Sequence, residues 1–161
     1  MANKELEDAV IGDFIPVEAI ETQESEYKAS IAEERLTDEI KFSYSWHLIK
    51  SRYRKDIRKG IKLMEELIQQ GRDQRDYYYF VGLGHYKLEE YEDADKCVAR
   101  VLQMEPNNYQ AKQLKTLINK KIRNDGLIGL GVLGGAALLG GALAVGAVAL
   151  AGLGISKAAK K

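Results

Sequence analysis

The chain has 161 residues, with 24 basic and 24 acidic side chains, a formal net charge of zero, 45% hydrophobic residues and one cysteine. The lone Cys97 excludes an internal disulfide and fits a reducing compartment, and with only His47 and His85 on separate segments and no HExxH or CxxC, no metal site is expected. The zero net charge hides an asymmetry: residues 1–40 hold twelve acidic and three basic side chains, a net of −9, so residues 41–161 carry +9, a split that marks an arm and the surface it contacts.

Residues 1–15 are expected to be a mobile acidic arm, with Leu6, Val10 and Phe14 at helical spacing and Gly12 and Pro16 as breakers. Such a start has neither the apolar core of a secretory signal nor the arginines of a mitochondrial presequence, so targeting is expected from the tail. A cytosolic helical domain is predicted over 16–124. It opens with a helix near Pro16, a residue tolerated in a first turn, whose apolar positions are Val17, Ile20, Tyr27 and Ile31. Ser30-Ile31-Ala32-Glu33 reads as a capping box for the helix after it.

From Lys41 to Asn124 apolar residues recur three and four apart, as in Ile57, Ile61, Met64, Leu67 and Ile68, and no stretch alternates with a period of two. The predicted fold is all α. A shift of 34 residues superposes Tyr44 on Tyr78, Ile57 on Tyr91, Gly60 on Ala94, Met64 on Val98 and Leu67 on Val101. That is the period of the tetratricopeptide repeat, a helix-turn-helix unit. The repeats fall at about 41–74 and 75–108, and Gly82 and Ala94 are small so that the two helices of the second pair can approach closely. Two repeats are too few for a stable stack, so helices must cover both ends. A capping helix over about 108–124, with Ala111, Leu114, Leu117, Ile118 and Ile122 on one face, covers one of them and gives a six-helix tetratricopeptide-repeat-like bundle.

Residues 126–155 contain no charged side chain and ten of the fifteen glycines. Thirty helical residues exceed the ~30 Å core of a bilayer, so a transmembrane anchor is predicted, with a short basic tail over 156–161. A span so close to the end is expected to be inserted after synthesis, so the chain reads as a tail-anchored protein with its N-terminal domain expected in the cytosol. Lys157, Lys160 and Lys161 suit the mitochondrial or peroxisomal surface better than the endoplasmic reticulum. Gly131 and Gly135, four apart, offer a helix-packing face and a route to a homo-oligomer, although glycine and alanine can also serve only to moderate hydrophobicity.

The first helix of each repeat lines the concave side of such a stack. The predicted groove holds Ser45, Ile49, Arg52 and Tyr53 from the first copy and Tyr79, Leu83, Tyr86 and Lys87 from the second, an apolar trough rimmed by cations that suits a peptide. Glycine within a helix costs roughly 1 kcal/mol relative to alanine, so Gly84 implies close approach of another backbone, from a neighbouring helix or a partner. The acidic arm is placed to fold back over this groove through Leu6, Val10 and Phe14. A chaperone-type carboxylate clamp is disfavoured because Ile49 and Leu83 stand where lysine and asparagine are needed. The eight cations of residues 41–62 spread around helices without an aromatic reading motif, which argues against nucleic acid. No catalytic residues, cofactor or enzymatic activity are expected.

Ser51-Arg52-Tyr53, Asp56 through Ile61, Gln74 through Tyr77, Gly84 through Leu88, Tyr91, Glu105-Pro106 and Asp125 through Gly129 together resemble the mitochondrial fission 1 protein family. The similarity runs through residues 41–161 and leaves out the arm. It implies an adaptor on the mitochondrial outer membrane and on peroxisomes that recruits a dynamin-related GTPase, directly or through another adaptor. It also implies a groove centred on Gly82, Gly84, Tyr86 and Lys87 that the arm can occupy. A tail-anchored receptor for mitochondrial precursor proteins and a scaffold for degradation or organelle-contact machinery are the other readings of such a chain.

Overall fold

The computed structural model describes residues 2–71 and 74–139, with side chains over 4–71 and 74–124. It divides into two units, 1–124 and 125–161, of which the first holds both repeats. Among the described residues there are seven helices: α1 (Ala2–Ile11), α2 (Val17–Ala32), α3 (Asp38–Ile49), α4 (Arg54–Gln69), α5 (Arg75–Lys87), α6 (Tyr91–Met104) and α7 (Tyr109–Leu139). The fold is all α, as the periodicity demands. The seventh helix is α1, in the segment expected to be a mobile arm.

Helix boundaries follow from local chemistry. The capping box expected at Ser30 is not one: Ser30 is buried near the C-terminal end of α2, where its hydroxyl donates to the Tyr27 carbonyl. Thr37 is the true N-cap of α3, accepting from the Ile40 amide at 3.3 Å, with Asp38 and Glu39 in the first turn where the helix dipole favours acids. Asn108 caps α7 through the Ala111 amide at 2.9 Å, just past Pro106, which cannot continue α6.

Three apolar clusters stack along the domain. Ile20, Tyr44 and Leu48 join α2 to α3; Ile49, Ile57, Ile61, Met64, Leu67, Tyr77, Val81 and Leu88 join α3, α4 and α5; Tyr79, Leu83, Tyr86, Ala94, Val98, Val101, Ala111, Leu114, Leu117 and Ile118 join α5, α6 and α7. Helices α3 and α5 therefore bury opposite faces in different clusters. That explains why neither shows the single clean stripe of α4, whose apolar positions face one way and whose cations face the other.

The second repeat closes as expected. A Cβ on Gly82 would lie 3.2 Å from Cys97 Cβ and 3.2 Å from Val98 Cγ2 on α6. The first repeat makes the same approach with the roles reversed. Leu48 stands at the position equivalent to Gly82, and the room comes from Gly60 on α4, whose Cβ would meet the Ser45 carbonyl at 2.7 Å and Leu48 Cβ at 2.9 Å. Ile122, expected on the capping face of α7, is 40% exposed.

Among the described residues no helix is long and apolar enough to cross a membrane. The anchor predicted over 126–155 falls largely outside them. Gly131 and Gly135 lie within the span of α7 whose side chains are not described, and Lys157, Lys160 and Lys161 lie outside the described residues altogether.

Candidate functional site

The groove is built on the ends of three helices, and its cations hold those ends in place. The last carbonyls of a helix have no partner within it and carry the negative end of its dipole. Lys87 Nζ donates to the Ile49 carbonyl at 2.6 Å and the Ser51 carbonyl at 2.8 Å, closing α3, and Arg54 donates to the Leu88 carbonyl at 2.8 Å, closing α5. Lys87 ties the second repeat to the first, and Arg54 ties the first to the second. Burial, and after it the neighbouring charge of Lys50, pushes the Lys87 ammonium down to about 8.

Helix α1 lies against this surface. Leu6, Val10 and Ile11 pack on the cluster that contains Tyr79, Leu83 and Tyr86. Tyr86 donates its hydroxyl to Glu7 Oε1 at 2.7 Å, and Lys121 from α7 sits 3.1 Å from the same oxygen. The Tyr86 hydrogen bond is the largest influence on Glu7 and holds its carboxyl below the usual carboxylate range, while burial, followed by that carboxylate, raises the Tyr86 phenol. At the C-terminal end of α1, Lys50 Nζ donates to the Ile11 carbonyl at 2.6 Å. Gly12 then turns the chain with φ +64°, a left-handed conformation that calls for glycine. The Ile15 amide donates to the Lys50 carbonyl at 3.2 Å, and the Phe14 ring lies under Arg52 at 5.4 Å and Lys87 at 4.9 Å. Beside the arm remains a cleft of about 220 Å³, bordered by Ile11, Phe14, Arg52, Ile57, Tyr86 and Lys87 among others.

Of the groove residues expected from sequence, the structure brings Arg52, Tyr86 and Lys87 together with Phe14. Tyr79 and Leu83 are in the cluster that α1 covers, so their burial includes what the arm hides. Ser45 and Ile49 are core positions instead: both are fully buried, the Ser45 hydroxyl is spent on the Lys41 carbonyl, and Ile49 packs between α3, α4 and α5. Tyr53 is exposed but borders a different cleft, of about 550 Å³, with Val17, Ile20, Tyr44 and Lys59. Gly82 faces α6, and Gly84 faces α4, where a Cβ would meet Ile61 Cγ1 at 2.8 Å; a neighbouring helix accounts for each.

Sequence reasoning missed Glu7, Lys50, Arg54 and Lys121. Lys50 and Arg54 flank the α3–α4 turn, where a cation can reach orphan carbonyls, and Lys121 follows Leu114 and Ile118 on the inner face of α7. Cys97 is partly buried and its thiol is pushed up to about 11, chiefly by burial, which leaves it a packing residue.

Known proteins share both the repeats and their arrangement. The sequence profile of the Fis1 N-terminal tetratricopeptide repeat matches residues 39–71, and that of the Fis1 C-terminal tetratricopeptide repeat matches residues 75–127. The chain belongs to the mitochondrial fission 1 protein family. The human mitochondrial fission 1 protein is 41% identical over 128 residues, 78% of this chain and 84% of the human one, and the mouse protein is 40% identical over the same length and shares. Among solved structures, Fis1 from Saccharomyces cerevisiae superposes with a TM-score of 0.67 at 28% identity, covering 78% of this chain and 95% of that one. Yeast Fis1 in complex with an Mdv1 fragment containing N-terminal extension and coiled coil domains gives a TM-score of 0.67 at 27% identity, over 75% of this chain and 94% of that one. As a fission 1 family member the chain has the paired repeats of that family, and its two matched segments coincide with α3–α4 and with α5, α6 and the first part of α7.

Proposed function

We propose that this chain is an adaptor in mitochondrial and peroxisomal fission that does no chemistry of its own. Its repeat domain faces the cytosol from the mitochondrial outer membrane and from peroxisomes, held by a single-pass anchor over 126–155 with the basic tail 156–161. The groove of the repeats recruits a dynamin-related GTPase, directly or by way of a second adaptor. The observation that carries this reading is the groove itself, an apolar floor ringed by cations and already filled by a peptide segment of the same chain. Relatives named for mitochondrial fission and the yeast Fis1 complex with an Mdv1 fragment support it. Anchoring matters because a weak site held on a membrane meets its partner at high effective concentration.

The charge of the groove weighs against a receptor for precursor proteins. Lys50, Arg52, Arg54, Lys87 and Lys121 surround it, against Glu89 as the one lining acid outside the arm among the described residues, so an arginine-rich presequence would meet net repulsion. A scaffold for degradation or organelle contacts has no feature of the site in its favour. The test is organelle shape in cells lacking the protein, with rescue by the full chain or by residues 1–125. Elongated, undivided organelles rescued only by the full chain are expected; normal organelles with accumulating precursor proteins would refute the adaptor role.

A further inference from the structure

The arm does more than cover the groove; its inward-facing side chains and its C-terminal end each meet a partner on the repeats or on α7. Leu6, Val10 and Ile11 form one apolar face against the floor, and Glu7 beside them meets Tyr86 and Lys121. The helix stops where Lys50 can take the Ile11 carbonyl, and the chain leaves through Gly12 so that Phe14 reaches the pair Arg52 and Lys87. Side chains over 1–16 sum to −3, from four acids and Lys4, against five cations and Glu89 around the groove, a net of +4. We infer that the arm is a built-in copy of the partner's recognition element. The partner presents an acidic amphipathic helix with an acid beside its first apolar residue, ends that helix at glycine, and places an aromatic ring two residues later. This inference rests on the proposed role of the groove and names the chemistry of its ligand.

The arm is also an imperfect ligand, which a displaceable one must be. Phe14 is 46% exposed, and a cleft of about 220 Å³ stays open beside it. A short tether gives the arm an effective concentration near millimolar, so a partner from solution must fit better than the arm does. The open volume shows where: a larger aromatic at the position of Phe14, sliding toward Tyr86 under the same two cations, buries more surface without losing a contact the arm makes.

The test uses the full chain in phosphatidylcholine nanodiscs, with its own arm released by Leu6→Asp and Phe14→Ala, and in parallel a chain lacking residues 1–15 in case release is incomplete. Selection from a display library of random 16-residue peptides is expected to enrich the pattern apolar-acid-x-x-apolar-apolar-Gly-x-aromatic, with tryptophan ahead of phenylalanine at the last position. A synthetic peptide of residues 1–16 is expected to bind the released chain, and its Glu7→Lys form to bind about tenfold more weakly. Lys121→Glu in the chain is expected to restore binding of that Glu7→Lys peptide, an effect no general loss of structure can produce. Enrichment of basic or unpatterned peptides, equal binding of the two synthetic peptides, or failure of the charge swap would overturn the inference. So would binding of the released chain to phosphatidylserine vesicles through Arg52 and Lys87 with no peptide selected at all. Organelle shape is a separate readout. A selected motif alongside normal organelle division would sink the adaptor role and keep this ligand chemistry, and the opposite pair of results would do the reverse.

Discussion

Replacing Tyr86 with phenylalanine isolates the hydrogen bond that holds the arm. The ring stays in its cluster, so packing of α5 on α6 and α7 is preserved, and only the 2.7 Å contact to Glu7 is lost. A hydrogen bond to a charged group contributes about 1.5–3 kcal/mol net when sheltered. Here the Glu7 side chain is 31% exposed and keeps Lys121 at 3.1 Å, so about 1 kcal/mol is the discounted figure, a factor of roughly five in the closed-to-open ratio of the arm. Amide hydrogen exchange across α1 should speed up by that factor at neutral pH while the melting temperature of the repeat domain stays put. The pH dependence has a definite sign. Glu7 in the docked arm titrates below its ordinary 4.5, so its contribution is fully present above 4.5 and is lost as pH falls through the lower, docked value. Wild-type arm protection should therefore decline in acid more steeply than that of Tyr86→Phe. A double-mutant cycle with Glu7→Gln completes the experiment. Unchanged α1 exchange in Tyr86→Phe, or two fully additive substitutions, would refute the idea that this contact closes the groove.

Gly60→Ala should destabilise the domain by about 2 kcal/mol in urea unfolding even after the ~1 kcal/mol gain in helix propensity, because the new Cβ meets the Ser45 backbone at 2.7 Å. Gly84→Ala, which meets only the Ile61 side chain at 2.8 Å, should cost less, and Gly82→Ala, at 3.2 Å from its neighbours, least; any other order would show the helices pack differently. Lys87→Met leaves two carbonyls without their donor and should cost about 2 kcal/mol. Between about 8, where the folded Lys87 loses its proton, and 10.5, its ordinary value, the unfolded chain holds more protons, so this residue makes stability rise with pH; the difference between wild type and Lys87→Met should show that slope. Glu24, held down to about 2 by Lys59 and then Tyr44, contributes stability that is present above 4.5 and lost as pH falls through about 2. Glu24→Gln should flatten the acid limb of the stability curve over that window, and an unchanged limb would show that the Glu24–Tyr44–Lys59 cluster does not govern acid stability.

Local pattern by itself determined the helices and the pairing. The stripe of Ile57, Ile61, Met64 and Leu67, the 34-residue echo with its Gly82 and Ala94, and Pro106 after α6 specify paired helices because periodicity and helix-stopping chemistry act within a few turns of the chain. The −9 of residues 1–40 is legible in sequence too, but only −3 of it lies in the arm over 1–16, and the other −6 belongs to residues 17–40, in α2, the turn after it and the start of α3. What tertiary structure decided is which face each residue serves. Ser45 and Ile49 sit at groove positions by counting, yet Ser45 is buried beside Gly60 of α4 with its hydroxyl on its own helix, and Ile49 packs on α4 and α5. Gly84 makes room for Ile61, a residue 23 positions earlier, and no local pattern encodes that distance. Arg52 and Lys87 are legible in sequence as cations on the groove rim, but only the meeting of helix ends gives Lys50, Arg54 and Lys87 the carbonyls they hold. Orphan carbonyls at a helix C-terminus have no partner within their own helix, and where a residue distant in sequence supplies one, as Lys50, Arg54 and Lys87 do, the fold alone selects which.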